Sequence, residues 1–172
     1  TYEVASFEDL KTEFHAKRPF FQSNPPRIPL ERFLELADRI SAYLLASEAL
    51  DGEQKRMIGR LDMKELVSEE DLERASYDLE GLLGEKASEF DDPSGMEVVM
   101  FSLVLASSLR PFLDASAQAN LKTLGHIEQD VYKARRCPNC GNEPTLSYVG
   151  ETIEQPGMSR SLWCSLCHSM WD

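Results

Sequence analysis

Basic residues are scarce in this chain of 172: eighteen lysines and arginines stand against thirty acids, for a net charge of −12. Such a balance repels nucleic-acid phosphate and anionic lipid unless a local basic patch opposes it. The densest basic cluster, Lys133, Arg135 and Arg136, is too small for a polynucleotide footprint. A protein partner is therefore expected, with no role for nucleic acid or membrane. Long apolar runs are also missing. The most apolar stretch, Val98 to Leu109, falls well short of the ~20 residues of a bilayer span and reads as a buried helix of a soluble protein. No charged-then-apolar leader opens the chain, and Thr1 in place of methionine is expected of a trimmed N-terminus. No repeat at a fixed period is visible. Histidine is rare, and no serine, histidine and acid arrangement rises above background, so an enzyme is not expected. His15 is assigned to an acidic surface helix and His126 to a helix bend, both without a chemical role. The acids clustered at 69–73 and 89–92 read as solvated faces and helix starts.

Apolar residues, at 42%, are sufficient for a buried core. A globule of this length buries roughly 70% of its unfolded surface, so it needs no disulfide staples. The expected fold is mainly α, a helical domain over 1–136 followed by a small β module over 137–172. Phe7, Leu10 and Phe14 place an amphipathic helix within 3–17, and the prolines at 19, 25, 26 and 29 predict a loop or extended arm. Leu30, Phe33, Leu34, Ala37, Ile40 and Leu44 keep helical spacing to about Leu50, where Asp51-Gly52 marks a turn. Met57, Ile58 and Leu61 carry a weaker stripe within 53–66. Ser68 reads as an N-cap for a helix presenting Leu72, Ala75, Leu79 and Leu82 before Gly84, and Ser94 to Glu97 as a capping box. Met96, Val99, Met100, Leu103 and Val104 are expected to face the core, on a helix ended by Pro111. Leu113, Ala117, Leu121, Leu124 and Val131 then carry the last stripe. After residue 136 the prolines, glycines and short runs Thr-Leu-Ser-Tyr-Val and Ser-Leu-Trp predict a β hairpin, with Trp163 and Trp171 packing over it.

The cysteines carry the chemistry. Cys137-Pro-Asn-Cys140-Gly and Cys164-Ser-Leu-Cys167 are two knuckles separated by a hairpin-sized segment. Together they supply four soft ligands for one tetrahedral ion, zinc or iron rather than calcium or magnesium. Gly141 suits the positive φ that such a turn often requires. Disulfides are disfavoured because the acidic helical body shows no secretory context. Cys164-Ser-Leu-Cys167-His168 also matches the c-type haem attachment pattern, which would leave Cys137 and Cys140 unexplained. His168 is expected to be an exposed neighbour of the knuckle, with an alternative ligand as the other reading. Four thiolates close the coordination sphere and leave no position for substrate water, so hydrolysis there is not expected. With iron the same ligands could carry one electron; with zinc the site would mainly fold the tail.

Cys137-Pro138-Asn139-Cys140-Gly141 with Pro144, then Arg160-Ser-Leu162-Trp-Cys164-Ser-Leu166-Cys167-His-Ser-Met-Trp171, resembles the FdhE family of formate dehydrogenase accessory proteins. The resemblance covers about one fifth of the chain closely, and the helical half in layout only. It implies a cytoplasmic maturation factor that binds the catalytic subunit of formate dehydrogenase before twin-arginine export. It also implies a rubredoxin-like or zinc-ribbon site for one metal ion, with Cys137, Cys140, Cys164 and Cys167 as ligands. The family pattern continues with further C-x-x-C pairs that form a second metal module, whereas this sequence stops at Trp171-Asp172. This leaves two pairs of alternatives: a truncated chain or a short member, and a metal shared by the two knuckles or separate metals in a longer protein. Against the accessory reading stand a rubredoxin-like electron carrier acting on a redox enzyme and a zinc-ribbon adaptor.

Overall fold

The computed structural model describes residues 4–90, 95–125, 134–151 and 158–171. Eight α-helices and a three-stranded antiparallel sheet are present among them. The chain divides into two compact units, 1–26 with 112–172, and 27–111. The composition break at residue 136 marks the change from helix to strand, whereas the packing units are cut at 26 and 111.

The second unit is helical. Helix α3 (Leu30–Ala46) buries Phe33 and Ala37, while Leu30, Leu34, Ile40 and Leu44 are only half-buried. It stops four residues before Leu50 because Ser47 turns extended and its hydroxyl accepts from the Ala49 amide. Asp51 then does more than turn the chain: it caps helix α4 (Gly52–Ile58) through a capping box with Gln54. Helix α5 (Met63–Leu66) follows, and Leu61 of the expected stripe lies in the connection between the two helices. Ser68 caps helix α6 (Glu69–Ala75) as expected, again with a reciprocal partner, Asp71. The continuous helix expected beyond it is interrupted. Ser76 to Asp78 break the run, and Asp78 caps a separate helix α7 (Leu79–Lys86), inside which Gly84 lies. A single 3₁₀ turn (Ala87–Glu89) comes next.

Helix α8 (Met96–Leu124) runs through both units and contains Pro111. The expected stop at Pro111 does not occur. The proline removes one N–H donor, to the carbonyl of residue 107, and the apolar face on either side of it keeps the helix going. That face is Met100, Phe101, Val104, Leu105, Leu109, Leu113 and Ala117, all buried. Val99, expected inside, is 56% exposed, and Leu121 is half-buried while Asn120 takes the buried position. By length and composition α8 could cross a membrane, a criterion that core helices of soluble proteins also meet. Ser94, Val131, Lys133, His126 and the acids at 91 and 92 lie outside the described residues.

The first unit combines the chain's two ends. Helix α1 (Phe7–Ala16) is capped by Ser6 and buries Leu10 and Phe14, with Phe7 partly exposed. Within the stretch read as loop, helix α2 (Phe20–Ser23) forms one turn that buries Phe20 and Phe21. Pro19 stands before it with no side-chain cap; the Phe20 and Phe21 amides instead donate to the carbonyls of Pro138 (2.8 Å) and Asn139 (3.0 Å). These partners are distant in sequence, which is why local reading misses the turn. Strands β1 (Leu146–Glu151) and β2 (Met158–Trp163) form the expected hairpin, in register Leu146 to Trp163 through Glu151 to Met158. A two-residue strand β3 (Met170–Trp171) extends it along β2.

Candidate metal centre

Each knuckle is a closed backbone turn. In the first, the Cys137 amide donates to the Asn142 carbonyl at 2.8 Å and the Gly141 amide to the Cys137 carbonyl at 2.9 Å. In the second, Cys164 donates to Ser169 at 3.0 Å and His168 to Cys164 at 2.9 Å. The pattern is the same, residue for residue. The position after the second cysteine is left-handed in both, φ 75° at Gly141 and φ 54° at His168. Glycine adopts that conformation without penalty, and histidine is among the residues that tolerate it. Thr145 joins the hairpin to the second knuckle: its amide donates to the Trp163 carbonyl at 2.9 Å, and its hydroxyl to Ser165 Oγ at 2.7 Å.

The hairpin thereby brings all four predicted sulfurs together. Cys137, Cys140, Cys164 and Cys167 are buried, and their Sγ atoms lie within 4.8 Å of one another. Across the knuckles, Cys137 and Cys167 are 3.4 Å apart and Cys140 and Cys164 3.5 Å. A tetrahedron with metal–sulfur bonds of about 2.3 Å has edges of about 3.8 Å, so the quartet fits one metal ion. The pairs share one site, and the alternative of separate metals does not suit this geometry. Calcium and magnesium want six or more oxygens and find none in this ligand set. Haem attachment through Cys164, Cys167 and His168 is disfavoured too, because Cys164 and Cys167 close on Cys140 and Cys137. His168 turns away from the sulfurs: its ring stacks on Trp163, centroids 5.4 Å apart, and its Nδ1 lies 3.6 Å from Asp114 Oδ2.

The electrostatics of the quartet come from crowding four acids into one dry space. Interaction with the Cys137 thiol, then with the other two, pushes the Cys140 thiol well above the ordinary cysteine value. Cys167 is pushed up as well, with Cys137 again the main cause. Cys164 goes the opposite way, held far below that value by hydrogen bonds led by Cys137. One thiolate is thus supported by its neighbours' S–H groups, and further negative charge needs a cation.

Around the sulfurs stand the two tryptophans expected at the hairpin and three polar side chains that the cysteine spacing does not reveal. Trp171 is buried and its Nε1 donates to the Ala134 carbonyl at 3.1 Å, while Trp163 is half-buried under His168. Asn139 and Ser169 are wholly buried beside the ligands, and Asn120 of α8 reaches Asn139. The sequence signal for these three was a polar side chain inside or just after a knuckle, and one on an otherwise apolar helical stripe. No family model, curated protein or solved structure matches this chain.

Proposed function

We propose that this chain is a non-enzymatic accessory protein that holds one metal ion in a rubredoxin-like or zinc-ribbon Cys₄ site. Its client is a redox-enzyme subunit, the catalytic subunit of formate dehydrogenase, met in the cytoplasm before twin-arginine export. The observation that carries the metal half is the buried quartet of sulfurs within 4.8 Å on two matched knuckles. The client half rests on the resemblance of residues 137–144 and 160–171 to the FdhE family. A closed tetrathiolate offers no open coordination position, which favours a structural or electron-transfer role over hydrolysis. Cys137, Cys140, Cys164 and Cys167 would hold the ion. When bound, it supplies charge neutralisation for four thiolates and a cross-link between the two knuckles. Pull-down of the formate dehydrogenase catalytic subunit by the full chain tests the client; no binding would sink that half.

The second reading is a rubredoxin-like electron carrier, favoured by the all-sulfur ligand set. Protein purified without oxygen would then show thiolate-to-iron absorption and a reversible one-electron couple. A colourless zinc protein from native expression excludes it.

A further inference from the structure

Asn120, Asn139 and Ser169 are each 0% exposed, and none belongs to the sulfur quartet. Buried amides and hydroxyls are costly unless hydrogen-bonded. These three satisfy one another in a line that ends on a ligand. Asn120 Nδ2 donates to Asn139 Oδ1 at 3.0 Å, and Asn139 Nδ2 donates to Ser169 Oγ at 2.9 Å. Ser169 Oγ in turn lies 3.0 Å from Cys167 Sγ.

The direction of the line matters. A hydroxyl has one hydrogen, and Ser169 already accepts from Asn139, so that hydrogen is available to the sulfur. Were the Asn139 amide reversed, its oxygen would face Ser169 and claim the hydrogen, and its nitrogen would meet the Asn120 donor. With Asn120 presenting its amide donor, Asn139 turns its own donor to Ser169, and the Ser169 hydrogen is left for the sulfur.

We propose that Asn120, Asn139 and Ser169 are positioning residues that form a buried relay aiming the Ser169 hydroxyl at the Cys167 sulfur of the metal-binding quartet. The proposal rests on the metal reading of the cysteines. A metal-bound thiolate accepts hydrogen bonds and cannot donate them, so Ser169 is the donor in the loaded site. The Asn139 backbone carbonyl also accepts from the Phe21 amide at 3.0 Å. One residue thus ties a ligand loop, a helix turn and α8 to the geometry at a single sulfur.

Cobalt(II) loading of the full chain tests this, read by the thiolate-to-cobalt charge-transfer band and by affinity in competition with a chelator. Removing an O–H···S bond raises the sulfur lone pairs in energy, so S169A should move the band to longer wavelength. It should also weaken cobalt binding about tenfold to a hundredfold. S169T keeps a hydroxyl and should hold the wild-type band. N120L has no direct contact with a sulfur in this line, yet it should shift the band in the same direction by a smaller amount. A merely structural role for Asn120 would lower stability and leave the band in place. An unmoved band in folded, loaded S169A overturns the relay. Should S169A fail to fold, N120L decides in its place: a shift supports the relay and an unmoved band overturns it. Wild-type protein that takes up no cobalt overturns the metal reading itself, a result distinct from failure of the relay.

Discussion

The two knuckles share one backbone scheme and differ in every way they are anchored. Their third positions are Asn139 and Leu166, both buried. The first is held by two side-chain hydrogen bonds, the second by exclusion from water. Their left-handed positions are Gly141 and His168. The first carries no side chain, whereas the second carries a ring that stacks on Trp163 near Asp114. Ligand geometry is thus set by the symmetric part of the turns, and attachment to the rest of the unit by the asymmetric part.

The symmetric part should be all-or-none. Serine at Cys137 or at Cys164 is expected to abolish stoichiometric metal binding equally, since a shared site loses a ligand either way. Apparent binding energies of structural zinc are about 10–16 kcal/mol, so this is the largest effect. Metal content after gel filtration checks it, and one pair retaining a full equivalent of metal would break the comparison.

Exchanging the anchors is the next step down. Asn139→Leu leaves Asn120 and Ser169 short of partners and should cost about 2–3 kcal/mol in denaturant unfolding. Leu166→Asn buries an amide with no partner provided and should cost a similar amount. If either exchange is neutral, the anchors are not specific to their knuckles. At the left-handed positions, Gly141→Ala should cost about 1–2 kcal/mol, since a Cβ is strained at that φ. His168→Gly removes the same strain while losing a ring stack worth about 0.5–1.5 kcal/mol, so its net effect should stay within ~1 kcal/mol of zero.

The smallest effect lies where helix α1 leads into helix α2. The Arg18 guanidinium, 2.6 Å from Glu13, holds that carboxyl below its usual value. A lowered carboxyl stabilises the fold above its unfolded value of about 4.3, and that contribution is lost as the pH falls through the lower folded value. Arg18→Gln should therefore narrow the stability gap to wild type as the pH drops below about 4. A gap that stays constant from pH 7 to 3 would contradict the assignment.

What could be read from the sequence was what local chemistry specifies. The paired cysteines, the hairpin between them, the left-handed Gly141 and the Ser68 cap all depend on residues within a few positions of one another. Most of the missed features depend on distant ones. Helix α2 forms because carbonyls at 138 and 139 accept its first amides. Helix α8 passes Pro111 because a long apolar face outweighs one missing hydrogen bond. The interruption at Ser76–Asp78 is a local feature, legible in principle from Asp78, whose side chain caps helix α7. Asn120 could be noticed as polar on an apolar stripe, but its partner Asn139 could not be named without the fold.

The central claim, one closed tetrathiolate site per chain, is tested most directly by native mass spectrometry with cysteine alkylation on protein purified without oxygen. The account predicts one metal ion per chain and four cysteines protected from alkylation together, then released together by a chelator. Two or more cysteines alkylating freely in the metal-loaded chain, or a metal-free chain with paired disulfides, would contradict it.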